Sequence, residues 1–141
     1  MAKNSSYRDL RIWQEAVELA LVIYRTTADF PKHELYGLTS QMRRAAVSVS
    51  SNIAEGKGHS SDGDFSRFLF HARGSLLELQ TQIVIAGGLQ YLTKEQVTKL
   101  TDDTDALGRG LNGLIQTVRG TASRLKVVAN SEERTTNSEY V

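Results

Sequence analysis

The chain has no cysteine, one proline and few aromatic residues, at 7%. Without cysteine there is no disulfide framework, no Cys-based zinc site and no thiol nucleophile. A lone Pro31, with no alternating Val/Ile/Thr-rich runs between turn signals, argues against an all-β chain. No run of about 18 apolar residues exists, so no membrane span is expected. The opening residues Met1 to Ser6 are polar, with no apolar segment behind them like a signal sequence, which reads as a cytoplasmic protein. A net charge of +1 neither demands nor excludes nucleic acid. The 141 residues suit a single domain. At this size folding buries about two-thirds of the chain's surface, so no metal staple is needed.

What is present is the helical period, four times. A first helix is expected over about Tyr7 to Asp29. Its inward stripe is Leu10, Trp13, Val17, Ala20, Tyr24, Thr27 and Phe30, and Pro31 stops it by pushing its predecessor out of the α region. Beside that stripe runs a second, Ile12, Ala16, Leu19 and Ile23. Two apolar faces point to more than one neighbour, such as a second subunit. A second helix spans about Leu38 to Glu55 and ends at Gly56 and Gly58, since glycine accepts left-handed cap geometry. A third spans about Asp64 to Gly87, capped by Ser61 or Asp62. A fourth starts at Thr93, whose spacing to Gln96 matches a capping box, and continues to about Lys126. The expected architecture is all-α: an antiparallel up-down-up-down four-helix bundle over residues 1–128. Residues 129–141 form a polar tail expected to be disordered.

The charge is uneven. The tail holds Arg134 against Glu132, Glu133 and Glu139, which leaves the body at about +3. Arg109, Arg119, Arg124 and Lys126 collect toward the end of the fourth helix. They either complement the helix dipole or form a basic strip for phosphates or an acidic partner.

Most motifs that could carry chemistry fail on context. Gly108-Arg109-Gly110-Leu111-Asn112-Gly113 spells the dinucleotide fingerprint, but it lies inside a helical pattern with no strand before it. Its glycines cost helix stability, so they need another account. With Ala106, Thr117 and Gly120, Gly110 and Gly113 form a small-residue stripe. That stripe suits close approach of another backbone, within the bundle or across a subunit boundary. His33, His59 and His71 are scattered, with no Glu-x-x-His or paired-His spacing, so no metal site is expected. No nucleophile sits on a recognisable turn motif, so no catalytic residues are assigned. In the second helix Ser48, Ser51, Asn52 and Glu55 lie along polar rows. They read as a structural polar network with Arg67 or Arg73, or as a ligand or partner site.

Some segments are recognisable. Tyr7-Arg8-Asp9-Leu10 with Trp13-Gln14, Phe30-Pro31, Glu34 to Leu38, Gln41 to Ala46, Ser51-Asn52-Ile53-Ala54-Glu55-Gly56, Phe65, Phe68-Leu69, and Ala72 to Ser75 with Glu78-Leu79 stand in order. Together they resemble the four-helix-bundle proteins encoded in intervening sequences of bacterial 23S ribosomal RNA genes, over about Tyr7 to Leu92. Ser50 departs from that pattern, where many relatives have proline, so a straighter second helix is expected. The resemblance implies a ring-shaped homo-oligomer, a homopentamer, without enzyme activity. It extends distantly to the basic pentameric accessory protein of diversity-generating retroelements, which binds a reverse transcriptase and nucleic acid.

The resulting expectation is a non-enzymatic, self-associating module that binds RNA or a ribonucleoprotein. Arg43, Arg44, Arg67, Arg73, Arg109, Arg119, Arg124 and Lys126 are the candidate contacts. Ile12, Ala16, Leu19, Ile23, Gly110 and Gly113 are the candidate oligomer interface. No cofactor, membrane or small-molecule substrate is expected. The alternative is a structural or protein-binding ring that takes no nucleic acid.

Overall fold

The computed structural model describes residues 6–59 and 61–138, and the side chains of these except at 121–126 and 132–138. Four α-helices follow one another: α1 (Arg11–Thr27), α2 (Leu38–Gly58), α3 (Asp62–Gly88) and α4 (Lys94–Ser138). Among the described residues there is no strand. Each helix packs on its neighbours in the chain, and α4 closes against α1; α1 and α3 lie on one diagonal, α2 and α4 on the other. Short connections force this antiparallel order.

The helix starts follow local chemistry. The Ser61 hydroxyl accepts from the Asp64 amide at 3.1 Å and so caps α3. At α4 the box is reciprocal: Thr93 Oγ1 accepts from the Gln96 amide at 3.1 Å, and Gln96 Oε1 accepts from the Thr93 amide at 2.9 Å. Where α1–α2 and α3–α4 connect, Phe30 and Tyr91 pack at 5.4 Å between ring centres. Partial burial, and then the Glu34 carboxylate, hold the Tyr91 phenol above its ordinary range.

The core reverses the expected reading of α1. Ile12, Ala16, Leu19 and Ile23 are all buried within the monomer, so they are not a surface for a second subunit. Trp13, Val17 and Ala20 are only half-buried and Tyr24 is exposed; of the expected inward stripe, only Thr27 and Phe30 are fully enclosed. Both stripes are apolar at helical spacing, and only the positions of α2 and α4 choose between them. Gly110 belongs to the same contact: a Cβ there would stand 2.6 Å from Ile12 Cδ1, so its role is the approach of α4 to α1. Gly113 has no atom within 4 Å of such a Cβ and is exposed.

Three helix ends also differ. α2 runs past Gly56 to Gly58 and is uninterrupted at Ser50, whose hydroxyl donates to the Val47 carbonyl at 2.9 Å. Gly56 is buried there because a Cβ would fall 2.7 Å from Phe68 Cβ; it admits α3 rather than capping α2. No described glycine has a positive φ, and the left-handed residue after α3 is Gln90, at φ 62°. α4 continues over 45 residues to Ser138, so helix covers most of the segment expected to be disordered.

Candidate nucleic-acid interface

The N-terminal half of α3 carries the densest grouping of cations and rings. Phe65, Leu69 and Ala72 face the core. That register leaves Phe68 and Phe70 half-buried and Arg67 and His71 exposed along the outer side. Both phenylalanines are covered by cations. The Arg67 guanidinium lies 4.6 Å from the Phe68 ring centre, and His59 stacks on the same ring at 4.8 Å and 23°. Arg73 lies 4.8 Å and Arg119 5.6 Å from the Phe70 ring centre. Arg73 also donates from Nη1 to Asn112 Oδ1 at 3.1 Å, which ties α3 to α4.

This geometry matters for charge. A guanidinium lying on a ring face is held in place while most of its donors remain open to a phosphate. Asp64 is the acid within the group, 3.7 Å from Arg67 and 3.9 Å from His59. Arg73 lies further along α3, about 2.5 turns from Asp64. Rings flanked by cations are the elements that proteins use to stack bases and neutralise backbone phosphates of single strands.

The other candidate residues divide. Arg43 is a structural tie: Nε donates to Thr27 Oγ1 at 2.9 Å, Nη2 donates to the Tyr24 carbonyl at 3.2 Å, and the guanidinium covers the Tyr24 ring. It secures the last turn of α1, joining the Ala28 amide and the Thr27 hydroxyl on the Tyr24 carbonyl. Arg44 and Arg109 are exposed, on α2 and α4. Arg124 and Lys126 lie outside the residues whose side chains are described. Ser48 and Asn52 do form a polar network, but with Ser75 rather than with Arg67 or Arg73. Ser48 Oγ meets Ser75 Oγ at 2.8 Å, and Asn52 Nδ2 donates to the Ser48 carbonyl at 2.8 Å. Ser51 and Glu55 are exposed beside it. Sequence reasoning missed Phe68, Phe70, His59 and Asn112. The available signal was Phe70 three residues before Arg73, neighbours on any helix surface. Among the described residues, no group of three His, Asp or Glu side chains could hold a metal ion, and no helix is long and apolar enough to cross a membrane.

Residues 8–113 match the 23S rRNA-intervening sequence protein family. The chain belongs to that family. None of the curated proteins matches it. A solved protein of unknown function from the S23 ribosomal protein family of Bacteroides thetaiotaomicron VPI-5482 has the same fold, with a TM-score of 0.68 and 21% identity. The similarity covers 74% of this chain and 98% of that one. The family match reaches beyond Leu92 into α4. It includes Arg67, Arg73, Arg109 and Asn112, whereas Arg119, Arg124 and Lys126 lie past it.

Proposed function

We propose that this intervening-sequence protein is a non-enzymatic module of the cytoplasm. It assembles with copies of itself into a ring, five as the resemblance implies, and binds RNA, free or within a ribonucleoprotein. The supporting observation is the pair of phenylalanines on α3 covered by Arg67, Arg73 and Arg119. A ring would repeat this group around an axis and focus its potential, which compensates for a net charge of only +1 per chain.

The test is fluorescence anisotropy with a labelled single-stranded RNA of about 12 nucleotides, titrated from about 50 to 200 mM salt. If Arg67, Arg73, Arg109 and Arg119 each neutralise a phosphate, log K falls with log salt at a slope near about −3. Arg73→Ala with Arg119→Ala weakens binding at least about tenfold and reduces the slope by about 1.4. Arg11→Ala, at the far end of an exposed pair with Glu15, changes neither. Binding that ignores salt, or none at the lowest salt, overturns the RNA reading. The second reading, a scaffold that takes no RNA, is favoured by the exposed apolar side chains of α1 and α3, and the same titration decides between the two.

A further inference from the structure

The two phenylalanines of the candidate interface sit on opposite flanks of α3, and their surroundings differ in charge. Phe70 faces α4, where Arg73 and Arg119 cover it. Phe68 faces α2 beside Gly56, and Arg67 and His59 cover it. His71 stands one turn past Arg67, with its ring centre 6.3 Å from that of Phe68. Two of the chain's 3 histidines therefore meet on one ring. Imidazole is the side chain whose ordinary titration falls between about pH 5 and 8.

The groups around these rings set the sign of the corner between α2 and α3. Lys57 lies over the Phe65 ring at 5.7 Å, and Glu55 is one turn before His59. Asp62 and Asp64 occupy the first turn of α3. With both imidazoles neutral, Lys57 and Arg67 against Glu55, Asp62 and Asp64 leave a net charge of −1, and two protons bring it to +1. Glu78 stands two turns past His71, about 10 Å along the axis. From α4, Arg119 lies on the Phe70 flank. The geometry favours proton uptake at His59. Asp64 Oδ2 lies 3.9 Å from its Nδ1, and the ring stands at the carbonyl end of α2, where a helix favours cations. Asp64 is also 3.7 Å from Arg67. A charged His59 competes for that carboxylate and leaves the guanidinium freer for a phosphate. Arg67 and Lys57 oppose the charging of the imidazoles, and a phosphate seated among them removes that opposition.

We infer that His59 and His71 are proton-dependent contacts to the phosphate backbone. The Phe68 flank then takes RNA at mildly acidic pH and releases it at alkaline pH, while the Phe70 flank holds it at both. The inference rests on the RNA reading proposed above. The sign follows from linkage: a bound phosphate favours the charged imidazole, so RNA binding takes up protons and affinity rises as pH falls.

The test is an anisotropy titration with a labelled oligouridine of about 12 nucleotides, at about pH 6 and about pH 8, where uracil keeps one protonation state. Wild type binds about tenfold more tightly at the lower pH. Its salt slope is steeper there by about 1.4, for two added phosphate contacts. His59→Gln with His71→Gln binds at both pH values as wild type does at the higher one. Arg73→Ala with Arg119→Ala weakens binding at both and leaves their ratio unchanged. His33→Gln, at the other end of α2, keeps the full pH dependence. Equal binding by wild type at the two pH values, or a pH dependence that survives in the double histidine variant, overturns the inference and leaves the RNA reading standing. No binding at either pH overturns both. Should the double variant unfold, proton NMR of the wild-type imidazoles decides, with resonances assigned from single variants. Oligouridine moves the titration midpoints of His59 and His71 upward and leaves that of His33 in place; unmoved midpoints overturn the inference.

Discussion

Glycine in this protein has three different jobs, and each answers differently to a methyl group. At Gly56 a Cβ would meet Phe68 Cβ at 2.7 Å and the Phe65 carbonyl at 3.3 Å, and neither can move without shifting α3. At Gly110 the neighbour is the far end of the Ile12 side chain, which can rotate away. At Gly113 there is open space. Gly56→Ala should therefore destabilise the fold by about 1–3 kcal/mol through overpacking. Gly113→Ala should stabilise it by up to about 1 kcal/mol through helix propensity. Urea denaturation of both variants checks the pair of signs, and a stable Gly56→Ala would refute the close approach of α2 and α3. The sequence marked Gly110 for a close approach without saying to which helix, grouped Gly113 with it although that position is open, and read Gly56 as a cap. What distinguishes them is an atom contributed by another helix.

The helices themselves were largely legible because their signals are local. The Thr93–Gln96 box and the Ser61 cap are each written within four residues, and both form as expected. The facing of α1 was not legible. Its two stripes lie side by side, both apolar, and period alone does not say which turns inward. Burial assigns Ile12 and Leu19 to the core, at 9% and 6% exposure. Ile12→Glu with Leu19→Glu should therefore abolish the helical far-UV signal, not merely dissociate copies, because each places a carboxylate among apolar side chains without a partner. A folded, monomeric double variant would return these residues to an interface between subunits.

At the scale of the molecule, α4 is longer than the bundle it completes. Its 45 residues span about 67 Å, against about 40 Å for the 27 of α3. Contacts pair Arg73 with Asn112 and Phe70 with Arg119, so the start of α3 falls near residue 123 of α4. Beyond it Val127 and Val128 are 65% and 54% exposed. The family match, ending at residue 113, also stops short of this extension. A chain ending after Lys126 should keep the unfolding free energy of the full protein, read from urea denaturation, within about 0.5 kcal/mol, since no described side chain beyond that point is buried. A larger loss would mean that the extension packs against something in solution.

The sequence by itself determined that this chain is helical, where α2, α3 and α4 begin to within two residues, and which helices are antiparallel neighbours; α1, expected from Tyr7, starts at Arg11 after a separate turn at Tyr7–Asp9. Period, caps and short connections act over a few residues and require no knowledge of the rest. The tertiary structure alone decided which stripe of α1 is core, that Arg43 is occupied in holding α1 to α2, and that Arg73 and Arg119 meet on one phenylalanine. Those outcomes depend on distances between helices far apart in the chain, and one amphipathic pattern is compatible with several such packings.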